Sequence, residues 1–208
     1  MNRHDFLAEL HRTLKPRVYL EIGVQYGTSL DLAKDADVAV GIDPRPLTSP
    51  KGNQVIFGMT SDYYFRAVDW TSDPINLAFI DGMHLYEYAL RDFMNIEERA
   101  APDGVIVFDD VLPYNQFIAA REQPPGDWAG DVWKVYYLLK WHRPDLELHL
   151  VDTSPTGTLV VRNLDPGNTT LRNTPTTWDV GDIVPGEILL REQAVSAQVV
   201  MGLLREGS

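Results

Sequence analysis

No cysteine occurs in the 208 residues, which excludes disulfides, thiolate metal sites, iron–sulfur clusters and thiol nucleophiles. Any metal must therefore be held by oxygen or imidazole. Basic residues are also scarce. Eighteen Lys and Arg against thirty Asp and Glu leave a net charge of −12, the wrong sign for tracking phosphates or anionic lipid by charge, so neither nucleic acid nor a membrane surface is expected as a partner. Long apolar runs of about 18 residues are missing, and the N-terminus lacks the apolar core and small-residue cleavage site of a secretion signal. A cytoplasmic location is expected. What remains is 44% apolar, enough for a single domain over 1–208 that removes roughly 70% of its unfolded surface from water.

Phe6, Leu7, Leu10 and Leu14 have helical spacing that stops at Pro16, a leading helix over 1–16. A core sheet over 17–163 follows. Short apolar runs at Val18–Ile22, Val38–Ile42, Gln54–Phe57, Ile75–Ile80 and Val105–Phe108 alternate with helical stretches near Thr28–Lys34, Asp62–Val68 and Leu85–Ala100, with Pro102-Asp103-Gly104 turning the chain into the fifth run. Continuous apolar strands separated by helices imply an α/β architecture: an open, mostly parallel sheet with helices on both faces. Residues 111–131 form a long Pro- and Gly-containing loop with a helical piece near Asn115–Arg121. A helix at Val132–Trp141 and strands at Leu146–Val151 and Thr158–Arg162 complete the core, the strands forming an antiparallel edge pair. The extension 164–208 reads as a loop to Pro185 and a final helix over about Gly186–Leu204. Its apolar positions serve either docking on the body or a homodimer.

In such sheets ligands bind beyond the carboxyl ends of the strands. The first of these ends is Glu21-Ile22-Gly23-Val24-Gln25-Tyr26-Gly27, a glycine turn running into Thr28-Ser29, whose amides open the next helix. Asp43 ends the second strand twenty residues after Gly23, where a carboxylate can accept ribose hydroxyls or merely turn the loop before Pro44. Gly-x-x-x-Gly is an incomplete dinucleotide fingerprint, which weakens a nicotinamide-linked reading. The turn resembles that of the class I S-adenosylmethionine-dependent methyltransferases, whose acid, one residue, Gly, three residues, Gly is matched by Glu21, Gly23 and Gly27. The resemblance implies a Rossmann-like fold and a cofactor site: the glycine turn with Ser29 on the methionine part, Asp43 on the ribose, and Ser61 and Asp62 near the adenine by position. Thr60 and Ser61 serve equally as helix caps.

Asp81 ends the fourth strand and Asp109 and Asp110 the fifth. Neighbouring strands lie ~4.8 Å apart, so these carboxylates can converge on one hard divalent cation, with Mg²⁺ the natural candidate, unless strand alternation turns Asp109 and Asp110 to opposite faces. His84, three residues after Asp81, suits a general base. Ile80-Asp81-Gly82-Met83-His84 with Phe108-Asp109-Asp110 is similar to the metal-dependent O-methyltransferases of the macrocin and mycinamicin sugar type. This resemblance implies Asp81, Asp109 and Asp110 as metal ligands, Asp81 also beside the cofactor, and His84 as base toward a hydroxylated small molecule, a sugar or natural product. Trp128 and Trp133, with Arg121, Asp127 and Asp131, suit a lid over a ring-shaped acceptor or an anchored surface loop. His4, His11, His142 and His149 show no ligand spacing. Two other classes stay open, a dinucleotide-linked oxidoreductase and a catalytically silent cofactor-binding or interaction protein.

Overall fold

A computed structural model describes residues 1–70, 73–174 and 181–206. The elements run α1 (Arg3–Leu14), β1 (Val18–Ile22), a 3₁₀ turn (Leu30–Leu32), β2 (Val38–Asp43), β3 (Gln54–Gly58), α2 (Ser61–Ala67), β4 (Ile75–Ile80), α3 (Tyr86–Glu97), β5 (Ala100–Phe108), α4 (Lys134–His142), β6 (Glu147–Val151), β7 (Thr158–Arg162), and the short α5 (Thr170–Asn173), α6 (Gly186–Leu189) and α7 (Ala197–Glu206). Seven strands form one sheet in the order β3-β2-β1-β4-β5-β7-β6. The first five are parallel, and β7 runs antiparallel to both β5 and β6, the expected edge pair.

Side-chain alternation divides the core between the two faces of the sheet. Leu20, Ile22, Ile80, Ile106 and Phe108 pack with Phe93 and Ile96 of α3 and Leu138 of α4. Tyr19, Leu77, Phe79, Val105 and Val107 pack with Phe6, Leu7 and Leu10 of α1 and Val200, Met201 and Leu204 of α7. The start of α1 is fixed by Asn2, whose side chain accepts from the Asp5 amide, and its end by Lys15 at φ 44°, just before Pro16.

Four elements differ from the sequence reading. The helix expected over Thr28–Lys34 is only Leu30–Leu32, because the Ser29 hydroxyl that would cap it donates to Glu21 instead. No helix forms over Asn115–Arg121: the Ile118 carbonyl accepts the amides of Ala129 and Gly130 across the loop rather than a helical donor. The strand expected to begin at Val105 runs from Ala100 through Pro102-Asp103-Gly104, with a register shift against β4 between Ile75 and Leu77. The final helix splits into α6 and α7, since Val195 between them leaves helical pairing: its amide donates to Leu150 and its carbonyl accepts from Asp152 along the β6 edge. Of the loop expected over Leu164–Pro185, residues 175–180 lie outside the described residues. No helix among those described is long and apolar enough to cross a membrane.

The ends of α3 and α4 are joined by Arg143, 1% exposed, whose guanidinium grips both oxygens of buried Glu97 at 2.7 and 2.8 Å and also reaches Asp145. Removing one partner of such a pair strands a buried charge. Arg143→Met is therefore expected to lower unfolding free energy by about 3 kcal/mol in urea titrations.

Candidate active site

The sheet ladder continues one residue past the strands on the carboxyl side. The Gly23 amide donates to Ile42, the Asp81 amide to Ile22 and the Asp109 amide to Ile80, at 2.9 to 3.0 Å, so Gly23, Asp81 and Asp109 stand side by side on one edge. Gly23 adopts φ +92°, and a Cβ there would lie 1.9 Å from the Asp81 carbonyl. Only glycine permits that approach. The edge opens into a cavity of about 890 Å³ between the glycine turn, Asp43, the start of α2, and the Asp81–His84 segment.

Asp43 lines this cavity and ties its walls together, its two oxygens accepting the amides of Gln25 (2.8 Å) and Arg45 (2.6 Å). Ser61 and Asp62 also line it. Thr60, not Ser61, caps α2 through the Tyr63 amide, and Asp62 pairs with Arg91. Glu21 and Ser29 lie elsewhere, beneath the turn. Tyr19 and Ser29 donate to the two Glu21 oxygens at 2.7 and 2.8 Å, and Glu21 is fully buried. Alternation explains it: Glu21 shares the α1 face with Tyr19. Gly27 is likewise off the cavity wall, turning at φ +77° against the Thr48 side chain.

The two acids that follow β5 are held differently. Asp109 continues the alternation of Val105 and Val107 toward the α1 face, where it bonds the Arg3 guanidinium; Asp110, in a left-handed turn at φ +63°, lies beside His84. Of the expected ligands, Asp81 and Asp110 stand with His84 so that their ligand-type atoms lie within 4.8 Å of one another, while Asp109 is engaged by Arg3. Two carboxylate oxygens and a ring nitrogen suit a hard divalent cation that keeps waters. Asp109 retains one buried oxygen, Oδ1, without a hydrogen-bond partner. Burial, then Asp109 and Asp110, push the Asp81 carboxyl well above its ordinary range. Arg3 runs the other way: burial works against its charge, but Asp109, Asp81 and Asp110 hold the guanidinium protonated beyond its usual range.

His84 is fixed from the loop side. Its Nδ1 lies 2.7 Å from the Trp128 carbonyl and 3.1 Å from Asp110 Oδ2, and the indole of Trp128 stacks on the ring at 5.0 Å. Gly130 at φ +60° comes so close that a Cβ would sit 1.7 Å from the His84 carbonyl, and the Asp131 amide donates to that same carbonyl. Asp131 also accepts the Tyr86 amide at the start of α3, and Arg121 bonds both Asp131 and Glu87. The expected rim residues therefore strap the 111–131 segment to α3. Trp133 is wholly buried in the core.

The family model that matches, over residues 20–111, is described as a methyltransferase domain. No curated protein matches the sequence. Among solved structures, an O-methyltransferase from Bacillus cereus in complex with S-adenosylhomocysteine is 16% identical, with a TM-score of 0.60 over 78% of this chain and 80% of that one. TomG from Streptomyces achromogenes, an O-methyltransferase involved in tomaymycin synthesis, in complex with S-adenosylmethionine, is 17% identical with the same TM-score and coverage. This is a Rossmann-like methyltransferase fold.

Within that methyltransferase fold, three contributors to the site escaped the sequence reading. Arg3 carries no motif and meets its partner 106 positions away. The Trp128 carbonyl is backbone and has no sequence signature. Asp92 had one: it sits on the buried stripe of α3 with Ala89, Phe93 and Ile96, an acid at a core position, and it lines the cavity. Burial pushes its carboxyl up to about 7 against the pull of the Ser61 hydroxyl.

Burial likewise raises Glu21 to about 7, despite its bonds from Tyr19 and Ser29. The folded chain thus holds a proton there that the unfolded chain has lost above its ordinary value of 4.5, and stability from this group falls as pH rises from about 4.5 through 7. Glu21→Gln should shrink the loss of unfolding free energy between pH 5 and pH 8 by about 2 kcal/mol. Equal pH slopes in urea titrations of both proteins would show Glu21 ionised at neutrality.

Proposed function

We propose that this protein is an S-adenosylmethionine-dependent O-methyltransferase acting on a hydroxyl of a small molecule, a sugar or natural product, with His84 as general base. The observation that carries the reading is the state of the His84 ring. A carbonyl has no proton to give, so the 2.7 Å contact with Trp128 requires the proton on Nδ1, a role Asp110 reinforces. In the neutral ring Nε2 then carries the lone pair, 3.6 Å from Asp81 and outside hydrogen-bond range, on a residue that lines the cavity.

S-adenosylmethionine supplies, when bound, an electrophilic methyl group that needs an aligned nucleophile more than covalent help. Gly23 would let the cofactor approach the backbone, Asp43 would accept from its ribose, and Ser61, Asp62 and Asp92, which also line the cavity, would lie near its adenine. Glu21, Ser29 and Gly27 hold the turn from behind. A divalent cation such as Mg²⁺, held by the carboxylates of Asp81 and Asp110, would polarise the acceptor hydroxyl. His84 Nε2 takes the hydroxyl proton, and the Trp128 and Asp110 acceptors stabilise the imidazolium that results. Support comes from the methyltransferase family model and from structures of the same fold holding S-adenosylmethionine or S-adenosylhomocysteine. The dinucleotide alternative gains nothing: the glycine turn leads into a three-residue 3₁₀ turn, a poor seat for a pyrophosphate.

Calorimetric titration with S-adenosylhomocysteine, in Mg²⁺ and in EDTA, is expected to give micromolar binding, and no binding under either condition removes the reading. Against a panel of sugar and polyketide hydroxyls, His84→Ala should lose methyl transfer by roughly 10²- to 10⁴-fold while still binding S-adenosylhomocysteine. Full turnover by this variant would place the base elsewhere.

A further inference from the structure

We propose that Arg3 is the built-in cation of the acid cluster, holding Asp109 away from any divalent ion, so that metal affinity is set by competition between a side chain and the ion. The inference reaches beyond the methyltransferase reading and does not rest on it.

Three carboxylates, Asp81, Asp109 and Asp110, end two neighbouring strands, and one guanidinium stands among them. Arg3 Nη1 bonds Asp109 Oδ2, and its Nη2 lies 3.9 Å from Asp81 Oδ2. The position of Arg3 is not left to a mobile end of the chain. Asn2 caps α1 and bridges to Ser154, and the Arg3 amide itself donates to the Ser154 carbonyl at 3.2 Å. Asp109 is 2% exposed, and among the described residues Arg3 is the side chain that hydrogen-bonds it, while its buried Oδ1 meets no donor. With all three carboxylates ionised, as a bound divalent ion would leave them, one guanidinium offsets only part of their charge, so the cluster has room for a further cation. An ion that recruits Asp109 must displace the guanidinium. One that leaves Asp109 alone must settle on Asp81 and Asp110 beside His84, with a positive charge next to Asp81. In both cases Arg3 weakens the ion's hold.

The probe is Mn²⁺, with free ion read by electron paramagnetic resonance, on the wild type, Arg3→Gln, Arg3→Lys and the double variant Arg3→Gln/Asp109→Asn. Arg3→Gln should bind Mn²⁺ about tenfold tighter or more, and Arg3→Lys, which keeps the charge, should stay near the wild type. The double variant should lose the gain. Affinity in Arg3→Gln equal to or below the wild type, including no binding by either, overturns the proposal. Should circular dichroism show Arg3→Gln unfolded, the wild type answers instead through the ¹⁵N side-chain resonances of Arg3 during titration to saturation with Mg²⁺. A shift is expected, and an unmoved signal overturns the competition. Tighter Mn²⁺ binding in Arg3→Gln without any S-adenosylhomocysteine binding would sink the methyltransferase reading and leave the role of Arg3 standing.

Discussion

Repulsion between carboxylates at the ends of β4 and β5 is the constraint around which the carboxyl edge of the sheet is arranged. Parallel pairing brings Asp81 and Asp109 to adjacent places, and two charges about 5 Å apart at an effective dielectric near 20 repel by roughly 3 kcal/mol. Each further acid adds to that cost, which the fold offsets by distribution. Strand alternation turns Asp109 toward α1, the left-handed turn at Asp110 sets it beside His84, and Arg3 neutralises part of the remainder. The docking of α1 is therefore electrostatic as well as apolar. Phe6, Leu7 and Leu10 bury its face against the sheet, and that burial is what makes the reach of Arg3 from the first turn reproducible.

A second dependence runs from the loop to the ring of His84. A histidine in a cavity wall can hold its proton on either nitrogen, and the choice decides whether it can act as a base there. Here the choice falls to a backbone carbonyl, whose position depends on Gly130 passing close to His84 and on Arg121 and Asp131 tying the strap to α3. The strap contains no regular helix or strand, yet its carbonyls and amides are spent on specific partners. That accounts for a Pro- and Gly-containing loop carrying a buried tryptophan at one end and a stacked one beside the site.

Much of this edge was legible because it sits where local rules are strongest. Apolar runs ending in Gly23, Asp43, Asp81 and Asp109 announce parallel strands and their carboxyl ends, and all four stand at those ends. Alternation makes the contact of Asp109 with the α1 side readable, whereas the left-handed turn that sets Asp110 beside His84 has no signature in the sequence. Glu21 and Ser29 stand off the cavity wall because a spacing motif is blind to the face a residue takes: Glu21 shares its face with Tyr19 and belongs to the interior. The same hydroxyl misled the helix reading at Thr28–Lys34, where a tertiary hydrogen bond outcompeted a cap. Arg3 was illegible for a different reason. Nothing local marks one arginine near the start of the chain as the partner of an acid at the end of the fifth strand.

Asp81 is where these two systems meet. One of its oxygens lies 3.9 Å from Arg3 and the other 3.6 Å from His84 Nε2, so a single carboxylate borders both the resident cation and the free lone pair. Whatever neutralises Asp81 changes the field at His84. The guanidinium carried by the first turn of α1 therefore acts on the same carboxylate that borders the imidazole, and the docking of α1 against the sheet fixes the charge beside the cavity wall as well as the apolar core beneath it.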